Sequence, residues 1–242
     1  MTKDKNTLTN AGQAGIESMF KVGFHFGVSR SRRHPTTKAY IFGVKNKTEI
    51  FDLEKTQGAL DKALEFVKKV AANGKQILFV AGKSEAKDTL RSVAENIRQP
   101  FVAGRWIGGT LTNSKEIRKR VDKFETRNTE KAKGELAKYT KKERLIIDRE
   151  IDNLEIMFGG IVSMKEKPAA LVVIDPRKEA IAVEEARQTG VPVIALASSD
   201  CDLSLVTYPV PGNDTQKASI KYFLDAIAKA YSEAVVSKPE VK

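Results

Sequence analysis

The chain reads as an α/β domain, doubly wound around a parallel sheet and interrupted by an inserted pair of helices. Three observations predict this. Short continuous apolar runs, Ile77-Leu78-Phe79-Val80 and Ala170-Leu171-Val172-Val173-Ile174, have the pattern of strands buried on both faces. Segments of helical spacing alternate with such runs, which implies a parallel sheet with helices on both sides. Between them, residues 112–158 are strongly charged, poor in turn signals and helical in composition.

In chain order, residues 10–22 form a short helix with Ile16, Met19 and Phe20 on one face, and Gly23 stands at the C′ position. Residues 23–39 are a basic arm, read as a loop from its glycines and Pro35. Tyr40 to Val44 and Glu49 to Leu53 read as a β-hairpin turning near Asn46, with alternation pointing Tyr40 and Phe42 into the domain. A helix over Glu54 to Ala72 carries Leu60, Leu64, Val67 and Val70, and Asn73-Gly74 ends it. The Gln76 to Ala81 strand precedes a helix over Glu85 to Ile97 and a short Phe101-Val102 strand. Later come strand Ala170 to Ile174, helix Glu179 to Thr189 and strand Val193 to Leu196. The last helix spans Thr215 to Val236, with Asp214 as its N-cap.

Within 112–158, Ile117, Val121 and Phe124 recur at i, i+4, i+7, and Ile147, Ile151, Leu154 and Phe158 continue the same spacing. That gives two antiparallel helices with narrow apolar seams. Such a hairpin either projects from the sheet or folds onto the core. The expected organisation is an α/β RNA-binding unit from 1–111 and 159–236, a helical insertion at 112–158 and a tail at 237–242.

Charge is unevenly distributed. The net charge is +11, and residues 1–111 hold 19 Lys/Arg against 10 Asp/Glu. Residues 112–158 hold 13 against 10, and residues 159–242 hold 10 against 11. The basic excess peaks in Gly23 to Gly43, which contains no acidic residue. Cations packed this closely suit a polyanion, because each neutralised phosphate releases counterions. Aromatics beside them can stack on unpaired bases. No apolar run is long enough for a membrane helix. The polar start of the chain does not read as a secretory signal. The single cysteine, Cys201, excludes an internal disulfide and a cysteine-rich zinc site.

Motifs for chemistry are incomplete. Gly82-Lys83-Ser84 lies between a strand and a helix, but a P-loop needs a glycine where Ile77 stands. Acceptance of a single backbone phosphate there stays open. Arg105-Trp106-Ile107-Gly108-Gly109-Thr110-Leu111-Thr112-Asn113 follows a strand end. It reads either as an RNA-approaching loop, with Arg105 on phosphate, or as a turn capping the next helix through Thr112 or Asn113. His25 and His34 lack spaced partners for a zinc site or a nucleophilic triad. Asp175, Asp200 and Asp202 follow successive strands and either share a cation or cap turns.

Several segments together carry a family resemblance. They are His25-Phe26-Gly27, Tyr40-Ile41-Phe42-Gly43, Phe51-Asp52-Leu53-Glu54-Lys55-Thr56, the Arg105 to Asn113 loop, and Pro211-Gly212-Asn213-Asp214. The longest is Pro168 to Glu179, continuing through Ala182-Val183-Glu184-Glu185-Ala186 to Gly190-Val191-Pro192-Val193. From about Ile16 to Val236 the chain resembles the S-two family of bacterial-type small-ribosomal-subunit proteins. It departs at Val28, where the family usually has histidine, and at Ser31-Arg32-Arg33-His34-Pro35, where the family has Arg-Arg-Trp-Asn-Pro. It departs again at Ser198-Ser199-Asp200, where the family has Asp-Thr-Asn. The resemblance implies a flavodoxin-like domain with a protruding helical hairpin, in the cytoplasm, on the solvent side of the small subunit between head and body. It implies binding to small-subunit rRNA and neighbouring ribosomal proteins, and help in recruiting the S-one mRNA-binding protein.

The resulting expectation is a non-catalytic constituent of the small subunit, with no cofactor, resident metal, membrane contact or homo-oligomerisation. Its RNA-binding candidates are Arg30, Arg32, Arg33, Lys38, Lys45, Lys83, Arg105 and Trp106. The rival readings are a doubly wound nucleotide-binding enzyme and a free adaptor with the hairpin as its protein-binding arm.

Overall fold

The computed structural model describes residues 13–236, and of Ala137 only the backbone. The first residues of the expected opening helix and the 237–242 tail lie outside the described residues. Two sheets make up the frame. The larger has five parallel strands, β4 (Ile77–Ala81), β5 (Phe101–Ala103), β6 (Ala170–Ile174), β7 (Val193–Ala197) and β8 (Tyr208–Pro211), in the order β5-β4-β6-β7-β8. Every residue of β4, β6 and β7 is buried, as their unbroken apolar runs require. Burying one Val, Leu or Ile side chain contributes about 1.5–3 kcal/mol, so a polar residue on either face would be costly.

Alternate side chains of each strand feed two cores. Ile77, Phe79, Val172 and Leu196 pack with helices α2 (Leu53–Ala72), α3 (Ser84–Asn96) and α7 (Lys217–Val236). Leu78, Val80, Val173 and Ala195 pack on the opposite face with α6 (Ala180–Thr189). Strand β4 is followed by α3 on the first face, and β6 by α6 on the second. The two strands are neighbours, so the crevice between their carboxyl ends is the topological switch point of a flavodoxin-like sheet.

The charged insertion forms α4 (Ser114–Ala132) and α5 (Lys141–Phe158), the latter started by a Thr140–Glu143 capping box. Ion pairs Lys123–Glu150 and Lys131–Asp148 cross between them. Their seam residues Val121, Phe124, Ile151, Leu154 and Phe158 join the second core, so this part of the pair is folded onto the sheet domain.

The smaller sheet is antiparallel, β1 (Phe26–Ser29) and β2 (Ile41–Lys45) flanking β3 (Thr48–Phe51). It follows helix α1, which spans 13–21 among the described residues, and Gly23, whose φ of +70° lets the chain turn away. The β2–β3 turn uses Asn46 (φ 49°) and Lys47 (φ 66°), both left-handed as a two-residue type I′ hairpin demands. The register shifts between Ile41 and Gly43. That bulge corrects one expectation: Phe42 is 80% exposed instead of packed inward, while Tyr40 does pack, against the Ala197, Cys201 and Leu203 cluster.

Candidate nucleic-acid interface

The basic arm is built, not looped. After β1 it makes two 3-10 turns, Arg30–Arg32 and Pro35–Tyr40. Its local sequence lacks strand or helix periodicity, so the order comes from a distant residue. Ser199, fully buried after β7, accepts from Val28 N–H through its hydroxyl (3.0 Å). Its carbonyl accepts from His34 N–H (2.8 Å) and from the Thr37 hydroxyl (3.0 Å). Thr36 Oγ1 accepts from Leu203 N–H at 3.1 Å, a further tie to the same edge. These bonds seat the arm on the carboxyl end of the parallel sheet.

This seating sorts the arm's cations. Arg30, Arg32, Lys38 and Lys45 are exposed and, with Lys47 in the turn, have no ion-pair partner among the described residues. Arg33 is different. Its guanidinium donates to Glu49 Oε1 at 3.2 Å, and the Glu49 side chain is fully buried. Burying a carboxylate requires a partner, and Arg33 supplies it. Arg33 is thereby the counter-ion of the small sheet and not a free cation like its neighbours.

Arg105 begins the loop after β5 and is exposed without an ion pair among the described residues. The loop behind it is organised by Glu185 of α6, which sequence reasoning passed over. Glu185 is 6% exposed. Its Oε1 accepts from the Trp106 indole N–H (3.1 Å) and Gly109 N–H (2.7 Å). Its Oε2 accepts from Leu111 N–H (2.9 Å), Thr112 N–H (3.2 Å) and the Thr112 hydroxyl (3.3 Å). Burial pushes the Glu185 pKa up, but these donors outweigh it and hold the carboxyl below its ordinary value. Trp106 is 6% exposed, so its ring is a wall of the loop and not a platform for a base. Its buried indole anchors the loop from within. Asn113 occupies the N-cap position of α4 without a side-chain cap hydrogen bond.

Lys83, a further RNA-binding candidate, sits in an ion triad. Its ammonium lies 2.8 Å from Asp175 and 2.7 Å from Asp214, at the switch point, with its side chain 19% exposed. Burial alone would lower its pKa, yet the two carboxylates raise it overall. The triad carries one more negative than positive charge. Asp214, its most buried member, is pushed up to about 6, first by burial and further by Asp175, against the pull of Lys83. Lys83 therefore closes the crevice where a P-loop lysine would reach for phosphate. Asp214 is withdrawn from capping α7. Asn213 Oδ1 accepts from Thr215 N–H and Gln216 N–H in its place.

Of the two readings of Asp175, Asp200 and Asp202, the capping one describes Asp175, which accepts from Arg177 N–H and Lys178 N–H. Asp200 pairs with Arg177, and Asp202 accepts from Ser204. Asp175, Cys201 and Asp214 bring their ligand atoms within 4.8 Å of one another, and the cation among them is the Lys83 ammonium. Burial and the neighbouring carboxylates push the Cys201 thiol well up, so it stays protonated and unreactive. His25 stacks on Phe20 (4.6 Å) and lies tilted against Phe26 (4.1 Å), and His34 Nδ1 faces the Thr36 hydroxyl at 2.8 Å.

The nearest ends of the parallel strands thus carry a seated basic arm, a pre-organised Arg105 loop and a sealed switch point. A family model for ribosomal protein S2 matches residues 19–234. The chain is 39% identical over 218 residues to the small ribosomal subunit protein uS2 of Wolinella succinogenes, covering 90% of this chain and 80% of the relative. It is also 39% identical to that of a Roseiflexus species, covering 90% and 83%. With that of Helicobacter acinonychis it shares 40% identity over 226 residues, covering 93% and 90%. The chain belongs to the ribosomal protein S2 family, whose role is structural and not enzymatic.

Proposed function

We propose that the protein is a structural constituent of the small ribosomal subunit, in the cytoplasm, that binds small-subunit rRNA along the carboxyl edge of its sheet. The observation that carries this reading is the set of exposed cations without an ion pair among the described residues: Arg30, Arg32 and Lys38 on the seated arm, Lys45 at the end of β2, and Arg105 on the loop Glu185 holds. Pre-ordering matters, because a cation already fixed loses less entropy when it meets a phosphate. The nucleotide-binding enzyme is disfavoured by the Lys83 triad, which occupies the crevice that such an enzyme would need.

Neighbouring ribosomal proteins, and the S-one mRNA-binding protein among them, are the proposed protein contacts. The α4–α5 pair serves as the arm that reaches them, a unit distinct from the α/β unit at 1–111 and 159–236. One copy acts in each particle, without homo-oligomerisation.

The test is the salt dependence of binding to small-subunit rRNA. Each phosphate contact removed lowers the slope of log K against log salt by about 0.7–0.9. Arg30→Ala with Arg32→Ala should lower it by about 1.5 and weaken binding across sequences. An unchanged slope in that double variant rejects the arm as the interface. In gradients, the wild-type chain should sediment with small subunits, whereas a free adaptor stays at the top.

A further inference from the structure

Beside the sealed switch point one crevice stays open, with a volume of about 360 Å³. The ends of β4, β5 and β6 each contribute to its lining: Gly82 after β4, Arg105 and Trp106 after β5, and Lys178 and Glu179 after β6, with Lys87 of α3 on the rim. Three cations from three separate elements therefore surround one opening. Lys178 is steadied by donating from Nζ to Gly82 O at 3.1 Å. Arg105 and Lys87 are exposed and have no ion-pair partner among the described residues.

The three cations outnumber the one acidic group in the lining. Glu179 is buried, its carboxylate accepts from Gly82 N–H, and burial raises its pKa. A Cβ on Gly82 would lie 2.3 Å from Glu179 Oε1, so the glycine is what lets that carboxylate tuck under the floor. Glu85 nearby bonds Ser84 at 2.9 Å instead of the rim. The Lys83 triad, next to Gly82 in sequence, is not part of this lining, so its charges are spent elsewhere. A cleft with an excess of positive charge concentrates an anion.

We propose that this crevice is a phosphate site for one nucleotide, held by Arg105, Lys87 and Lys178 against the Trp106 wall. The inference rests on the RNA-binding reading of Arg105 and adds Lys87 and Lys178 to it, as a phosphate-sized stop beyond the arm. The phosphate comes either from an RNA strand or from a free mononucleotide.

Trp106 is the only tryptophan, so its emission reports on this wall alone. The full chain is titrated with inorganic phosphate, with adenosine monophosphate, and with a single-stranded RNA of about 12 nucleotides. A saturable change with RNA alone identifies a strand as the source, and one with the mononucleotide as well identifies a free nucleotide. Lys87→Ala and Lys178→Ala should each weaken that response about tenfold and lower the RNA salt slope by about 0.7. Lys87→Arg should restore both. No Trp106 response to any probe, or an unchanged slope in Lys87→Ala, overturns the proposal. The Arg30→Ala, Arg32→Ala variant measured alongside separates the two readings. If it weakens RNA binding while Lys87→Ala does not, only the crevice site falls. If neither does, the RNA-binding reading falls with it.

Discussion

Glu185→Gln keeps the volume of the side chain and removes part of its accepting capacity. In the native protein the two carboxylate oxygens accept five hydrogen bonds, two at Oε1 and three at Oε2. An amide has one oxygen. Left on the Leu111 and Thr112 side, it turns its NH₂ toward the Trp106 indole N–H and Gly109 N–H, donor against donor. Two buried donors then lose their acceptor at about 1–3 kcal/mol each, and the remaining bonds lose their charge assistance. Partial opening of the loop relieves some of this, so the loss is about 3 kcal/mol. At about 2–4 °C per kcal/mol for a chain of this size, Tm falls by about 6–12 °C. The same variant moves Trp106 toward water, so its emission shifts to the red and acrylamide quenches it more strongly. The acid dependence gives a second check. A carboxyl held below its ordinary value contributes its full stability above about pH 4.3 and loses it as pH falls through the depressed value. Wild-type Trp106 emission should hold at pH 5 and change only in stronger acid, while the Gln variant lacks that step. A Gln variant with native emission, native quenching and Tm within about 1 °C of wild type refutes Glu185 as the organiser of the loop.

Three other substitutions probe the charges that do not face solvent freely. Arg33→Ala leaves the buried Glu49 uncompensated; stability in urea should fall by about 2 kcal/mol while the RNA salt slope stays that of wild type. Lys83→Met strands Asp175 and Asp214 together and should cost about 3 kcal/mol at pH 7, and less at pH 5, where Asp214 takes up a proton; equal losses at both pH values contradict the triad. Asp214, raised to about 6, binds its proton more tightly when folded. Its contribution to stability is therefore largest below the unfolded carboxylate range and falls as pH rises from about 4 to about 6. Asp214→Asn should abolish that decline in denaturation curves compared across the window.

The parallel sheet was legible because its strands are buried on both faces, so hydrophobicity alone marks Ile77–Ala81 and Ala170–Ile174. The cations of the interface were legible as a composition, but their sorting was not. What decides whether a cation is free is a partner outside its own segment: Glu49 for Arg33, and Asp214, 131 residues on, for Lys83. The order of the arm was hidden for the same reason, since Ser199 grips Val28 from 171 residues away. Glu185 did leave a local sign. It shares the buried face of α6 with Ala182, Val183 and Ala186, and a carboxylate inside an apolar stripe announces a buried set of donors. Phe42 was misread because alternation assumes an unbroken register, and the bulge at Ile41 to Gly43 breaks it.

The switch point shows how a shared fold is turned to a different end. In an open α/β sheet the crevice outside the carboxyl ends is where ligands bind, because two connections diverge there and leave a gap. This chain keeps the gap and fills its depth from within. Lys83, at a place where a P-loop lysine would contact phosphate, is held by Asp175 and Asp214 with 2.8 and 2.7 Å contacts. An ammonium held by two carboxylates has no charge left for a triphosphate, so the chemistry of the fold's nucleotide enzymes is closed off without any change in topology. The cations that are free stand outward, on the arm that Ser199 seats and on the loop that Glu185 holds. Two buried side chains, each reaching across from another part of the chain, thus fix a surface of phosphate-directed charge on a frame whose usual binding crevice has been sealed.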